Sequence, residues 1–136
     1  MRKEWERNTY LIPTRLSITW GINYPKLLKI ELAKIIDDEI NISVINKIEL
    51  RGFEKVVQDL IDFVSFSNIF QFDENITELT IEVRKKYRIK LPDAIIAATA
   101  LLHGFTLVTN NSADFDKIKG IKLLNPYYPS SETKAQ

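Results

Sequence analysis

The sequence predicts an α/β domain with a mainly parallel sheet, and three observations carry that expectation. Short β-branched or apolar runs alternate with longer stretches whose apolar residues recur at helical spacing. Asp, Asn, Ser, Gly and Pro punctuate the boundaries between them. The chain of 136 residues is long enough for one domain around a single core.

Pro25 opens an amphipathic stretch, Lys26 to Asp38, with Leu27, Leu28, Ile30, Leu32, Ile35 and Ile36 on one face. Glu39 to Ile45 reads as a short β-branched strand. Ser43 suits the start of a helix from Val44 to Leu50, which Gly52 loosens. A second helix, Phe53 to Ser65, turns Val56, Val57, Leu60, Ile61 and Val64 inward, and Ile69 to Phe72 forms a strand. Either Asp73 or Asn75 caps a helix from Ile76 to Arg88, whose inner face carries Leu79, Val83 and Tyr87. The alanine-rich run from Leu91 to His103 is a helix with Pro92 in its first turn and Gly104 at a left-handed end. Phe105 to Val108 follows as a buried strand, Asp114 to Ile118 as a helical turn, and Ile121 to Leu124 as a last strand. Ser130 to Gln136 is polar and expected to be a disordered tail.

Composition narrows the chemistry. No cysteine is present, which excludes disulfides, zinc–thiolate sites and thiol nucleophiles and suits a reducing cytoplasm. The longest apolar run, Ala94 to Leu102, falls far short of the ~20 residues a membrane span needs. The expectation is a cytoplasmic protein without membrane contact. With a net charge of +1, a polyanion must be held by a local basic patch.

Ligands of open parallel sheets collect beyond the carboxyl ends of the strands. Glu49, Asp93 and Asp114 follow predicted strands or open helices, so all three are expected at that edge. Convergent carboxylates suit magnesium, or manganese in its place, since such ions take oxygen ligands. Each acid also has a structural alternative. Asp93 after Pro92 can serve as a cap or dipole partner, Asp114 can cap its own turn, and Glu49 can be a solvated helix residue with Glu54 as a rival. Asn111 can serve only its turn. Thr99 is read as a packing residue, and His103 as structural at a helix C-terminus.

Four segments together resemble the PIN domains of the VapC toxin type: Ile42 to Leu50, Leu91 to Ala100, Leu107 to Phe115 and Leu124 to Tyr127. The resemblance implies a single PIN-like domain over residues 1–136, a three-layer α/β/α fold and a magnesium-dependent endoribonuclease of a type II toxin–antitoxin system. It implies that Glu49, Asp93 and Asp114 hold the metal while Asn111 shapes the site. It also implies RNA as substrate, a homodimer and a cognate antitoxin that blocks the site. Apolar faces on Lys26 to Asp38 and Phe53 to Ser65 are available for such contacts or for the core. A catalytically inactive PIN-like module that binds antitoxin or RNA is the alternative, and a DNA-directed or general nuclease of the same fold a third reading. Lys85, Lys86, Arg88 and Lys90 either neutralise RNA phosphates or complement the helix dipole, with Lys119 and Lys122 as weaker candidates.

One departure is large. The family's first strand ends in Asp-Thr-Asn, whereas here residues 12–14 read Ile12-Pro13-Thr14, and no acid lies between Arg7 and Ile30. Ile12 offers a metal nothing, and Pro13 lacks the N–H a central strand uses. Reading each codon one base earlier permits Lys-Tyr-Leu-Phe-Asp-Thr-Asn over residues 8–14 and keeps Gly21 as glycine. The expectation is therefore that residues 1–21 are translated out of frame, by nature or by a sequencing error. Resequencing the DNA across codons Arg7 to Tyr24 decides this: a shifted frame spelling Asp at position 12 supports it, and any other residue there ends it.

Overall fold

In a computed structural model, residues 10–11, 40–52, 58–109, 112–125 and 133–134 are described. The expected helix Lys26 to Asp38, the start of the Phe53 helix, Glu54, Ile12, Pro13 and Asn111 lie outside the described residues. Strands are β1 (Tyr10–Leu11), β2 (Asn41–Ser43), β3 (Asn68–Phe70), β4 (Thr106–Val108), β5 (Lys122–Leu124) and β6 (Thr133–Lys134). Helices are α1 (Val44–Arg51), α2 (Gln58–Phe66), α3 (Glu74–Tyr87) and α4 (Leu91–His103). Among the described residues the sheet order is β3-β2-β1-β4-β5-β6, parallel throughout except for the β5–β6 pair.

Local chemistry sets the element ends. Val44 and Ile45 favour a strand, yet β2 stops at Ser43 because Ser43 caps α1. Its hydroxyl accepts from the Ile45 N–H (3.2 Å), and the Asn46 side chain accepts from the Ser43 N–H (2.9 Å). At Gly52 a Cβ would stand 2.7 Å from the Ile48 carbonyl oxygen, so the chain leaves α1 at a residue without one. Asp73, not Asn75, caps α3, its carboxylate accepting from the Ile76 N–H at 2.8 Å. Gly104 ends α4 with φ +68°, a backbone shape that glycine adopts freely. The expected disordered tail needs correction at two residues, since Thr133 and Lys134 form β6 against Leu123 and Lys122. Edge pairing uses backbone groups alone, which a polar composition does not forbid.

The core lies where α4 meets the centre of the sheet. Leu11, Leu107 and Leu123 from β1, β4 and β5 pack with Ala94, Ile96, Ala97 and Ala100 of α4, together with Val83 of α3. Alanines bring α4 close to its neighbours, and α3 makes its most extensive packing against this helix. Thr80 and Thr99 are buried but satisfied, each hydroxyl donating to the carbonyl four residues back (2.6 and 2.7 Å). β1 lies between β2 and β4 in the sheet. The Asn68 side chain donates to the Asn41 side chain, and Asn41 donates to the Tyr10 carbonyl, both at 3.1 Å. This relay ties three adjacent strands in register.

Asp73→Ala is expected to lower stability by about 1 kcal/mol, whereas Asn75→Ala should change it by less than about 0.5 kcal/mol. Urea denaturation of both variants checks the assignment.

Candidate active site

From β1 the chain steps outward to β2 and β3, then returns to lay β4 on the other flank of β1. That reversal is the switch point at which open parallel sheets leave a crevice beyond their carboxyl ends. After β4, the Thr109 N–H still bonds the Leu124 carbonyl (2.9 Å), and a 3₁₀ turn over Ser112–Asp114 follows. The Ser112 carbonyl accepts from Phe115 and Asp116 N–H groups (3.0 and 2.8 Å), while buried Phe115 and Ile118 anchor this turn in the core. Asp114 is thereby held, exposed, beyond the end of β4.

Asp93 arrives from the opposite direction, in the first turn of α4. No side-chain hydrogen bond caps this helix, and Lys90 occupies the N-cap position, so Asp93 is not acting as a cap. The next residue, Ala94, is fully buried, which fixes Asp93 at the rim of the core. Asp93 and Asp114 line one pocket of about 180 Å³ with Arg88, Ile89, Lys90 and Lys117. Burial chiefly raises the Asp93 pKa from its ordinary 3.8; the Asp114 carboxylate raises it further, Lys90 opposes, and Glu49 adds to the rise.

The three predicted acids are thus related unequally. Asp93 and Asp114 share the pocket, while Glu49, exposed on α1, reaches Asp93 through its charge. Among the described residues no three Asp, Glu or His side chains stand close enough to hold a metal as a set. The expected three-carboxylate grip is therefore reduced to a pair with a third charge nearby. A hard, all-oxygen pair still fits magnesium, which is commonly bound through one or two carboxylates with water and substrate phosphates. His103 is structural, its ring centroid 4.7 Å from that of Phe70 and 5.4 Å from that of Phe105. Lys117 was not singled out by sequence reasoning; its spacing of three residues from Asp114 was the available signal.

The raised pKa has a consequence for stability. The fold favours the protonated Asp93 carboxyl, so this group's stabilising share is complete below its ordinary 3.8 and is lost as pH rises through the folded value. Asp93→Asn, measured in EDTA, should therefore raise the melting temperature at pH 7, with the gain shrinking as pH falls through the raised folded value and gone below the ordinary 3.8. An unchanged or lower melting temperature at pH 7 contradicts the assigned electrostatics.

The PIN domain family matches residues 19–121, most of the chain and all of the carboxylate-bearing segments, starting past Ile12 and Pro13. Ribonuclease VapC1 of Rickettsia felis is 30% identical over 80 residues, which is 57% of this chain and 58% of that protein. The chain thus matches less than two thirds of that relative's length. A toxin–antitoxin complex from Klebsiella pneumoniae contains a chain 31% identical, with TM-score 0.70 over 88% of this chain and 98% of that one. VapBC2 from Rickettsia felis, bound to a promoter DNA fragment, gives 27% identity and TM-score 0.73 over 86% and 98%. DNA-bound VapBC from Salmonella typhimurium gives 25% identity and TM-score 0.74 over 88% and 99%. With its parallel sheet, its switch-point carboxylates and this match, the chain belongs to the PIN domain family.

Proposed function

We propose that this PIN domain is a VapC-type ribonuclease toxin of a toxin–antitoxin pair, a metal-dependent endoribonuclease that hydrolyses RNA phosphodiester bonds with weakened activity. The observation carrying this reading is the shared pocket of Asp93 and Asp114 at the switch point of the sheet. The VapC1 ribonuclease relative and the toxin–antitoxin complexes among similar structures support it.

Asp93 and Asp114 would hold magnesium, or manganese in its place, with Glu49 contributing charge and Asn111 assisting. Such an ion supplies a positive charge that polarises a phosphoryl oxygen and acidifies water. The chain's own contribution is to hold two anionic groups together at a half-buried edge and to back them with the apolar wall of Ile89. Activity is weakened because position 12 carries isoleucine where the family places an acid. Ile12→Asp alone does not restore it while Pro13 stays.

An antitoxin and a second copy of this chain are the proposed protein partners. Ile48 on α1 and Phe66 at the end of α2 are 61% and 80% exposed, apolar surface of the kind that a helical partner covers. The second reading, an inactive module that binds without cutting, is favoured by Ile12 and by the absence of a three-acid metal set among the described residues.

Purified chain is expected to cleave single-stranded RNA slowly in magnesium. EDTA should stop cleavage, and Asp93→Asn should reduce it by about 100-fold or more. Cleavage that persists unchanged in Asp93→Asn contradicts the proposal. Wild-type protein that binds RNA without cutting it supports the inactive module.

A further inference from the structure

The pocket that holds the two acids has a cationic rim. Arg88, Lys90 and Lys117 line it alongside Asp93 and Asp114. Each acid thus has a lysine three residues away in sequence, one before Asp93 and one after Asp114. Arg88 and Lys90 come from one segment, and Lys117 comes from the turn that buried Phe115 and Ile118 anchor.

Backbone conformation aims the first segment. Arg88 has φ 52° and ψ 47°, the only positive φ outside glycine among the described residues. Its N–H closes α3 on the Arg84 carbonyl (3.0 Å), and the chain then turns away from the helix. Ile89 is buried in the core while Arg88 and Lys90 on either side of it are exposed. The apolar anchor between them therefore fixes both cations at the pocket.

Lys122, Lys86 and Lys119 stand against other groups. The Lys122 ammonium donates to the Gly104 carbonyl at 2.8 Å. The Lys86 ammonium stands 5.4 Å from the Tyr87 ring centroid, and the Lys119 backbone N–H donates to the Tyr87 hydroxyl at 3.1 Å, which holds that residue beside Tyr87. Lys86 and Lys119 line a different hollow, floored by Leu79, Val83, Leu101 and Ile118. The basic run in the sequence is thus split in space, and Lys117 joins it only through the fold.

About 180 Å³ is small beside the ~300 Å³ or more of pockets that enclose a whole small molecule. This space suits a single phosphate group, with the rest of its chain lying across the rim. Fixed cations around an acidic floor match a repeating anion such as a nucleic-acid backbone. We propose that Arg88, Lys90 and Lys117 form a phosphate clamp that lays the backbone of single-stranded RNA across the Asp93–Asp114 pocket. The clamp deepens the ribonuclease reading and rests on it for the choice of RNA.

The test measures binding of a fluorescent single-stranded RNA of about 20 nucleotides to the full chain in EDTA, across a range of salt. The pocket variant is Arg88→Gly/Lys90→Ala/Lys117→Ala. Its charge-matched control is Lys85→Ala/Lys86→Ala/Lys119→Ala. The pocket variant should bind at least about tenfold more weakly, with a salt slope reduced by about 0.7 per lost contact, or about two for three. The control should shift by less than about threefold.

Arg88→Gly alone relaxes the left-handed backbone, so it should lose one contact's worth of slope without a fall in melting temperature. Equal losses in the two triple variants, an unchanged pocket variant, or tighter binding to DNA of the same sequence overturns the clamp. Cleavage in magnesium separates the two claims. Wild-type cleavage with binding independent of the pocket overturns the clamp alone. Pocket-dependent binding without cleavage overturns the ribonuclease reading and supports the clamp.

Discussion

Two carboxylates held near enough to repel one another are the constraint around which this molecule is arranged. Asp93 is half-buried, and Asp114 and Glu49 both push its proton affinity upward while Lys90 alone offsets them. A protein gains no stability from such a pairing on its own. The arrangement makes physical sense if a cation completes it and an anionic substrate follows the cation in. The cost is met by the apolar framework behind the pocket, where Ala94, Ile96 and Ala97 join α4 to the sheet core.

Fold and site are tied through the same few contacts. The sheet order creates a crevice between diverging connections, and the close packing of α4 delivers the start of that helix to it. On the other flank, the Phe115 and Ile118 side chains fix the turn bearing Asp114 and Lys117. Arg88 and Lys90 are set by a backbone reversal at the end of α3 and by the buried Ile89 between them. Positive and negative groups therefore come to one place from three segments, each pinned by its own core residue. Tyr10 and Leu11 of β1 are tied in by the Asn68–Asn41–Tyr10 relay.

What the sequence disclosed follows from how local each signal is. Ser43, Pro92 and Gly104 were legible because caps and left-handed ends need only adjacent residues. Asp73 and Asn75 could not be separated by pattern, since both side chains can accept from helix N–H groups; geometry selects Asp73. Val44 and Ile45 extended the expected strand by their β preference, which the capping box at Ser43 overrode. Asp93 and Asp114 stood out through their segments, but their unequal relation to Glu49 depends on tertiary placement. β6 was invisible, because a polar edge strand carries no apolar alternation. Lys117 looked like any solvated lysine until the fold set it in the pocket with Asp93.

The most direct measurement is a calorimetric titration of manganese into wild type, Asp93→Asn, Asp114→Asn and the double variant. If one ion is shared, each single substitution removes most of the binding and the double variant loses little more, a strongly non-additive cycle. Small, additive losses, or wild-type affinity indifferent to both changes, would mean that the two carboxylates do not act on one ion.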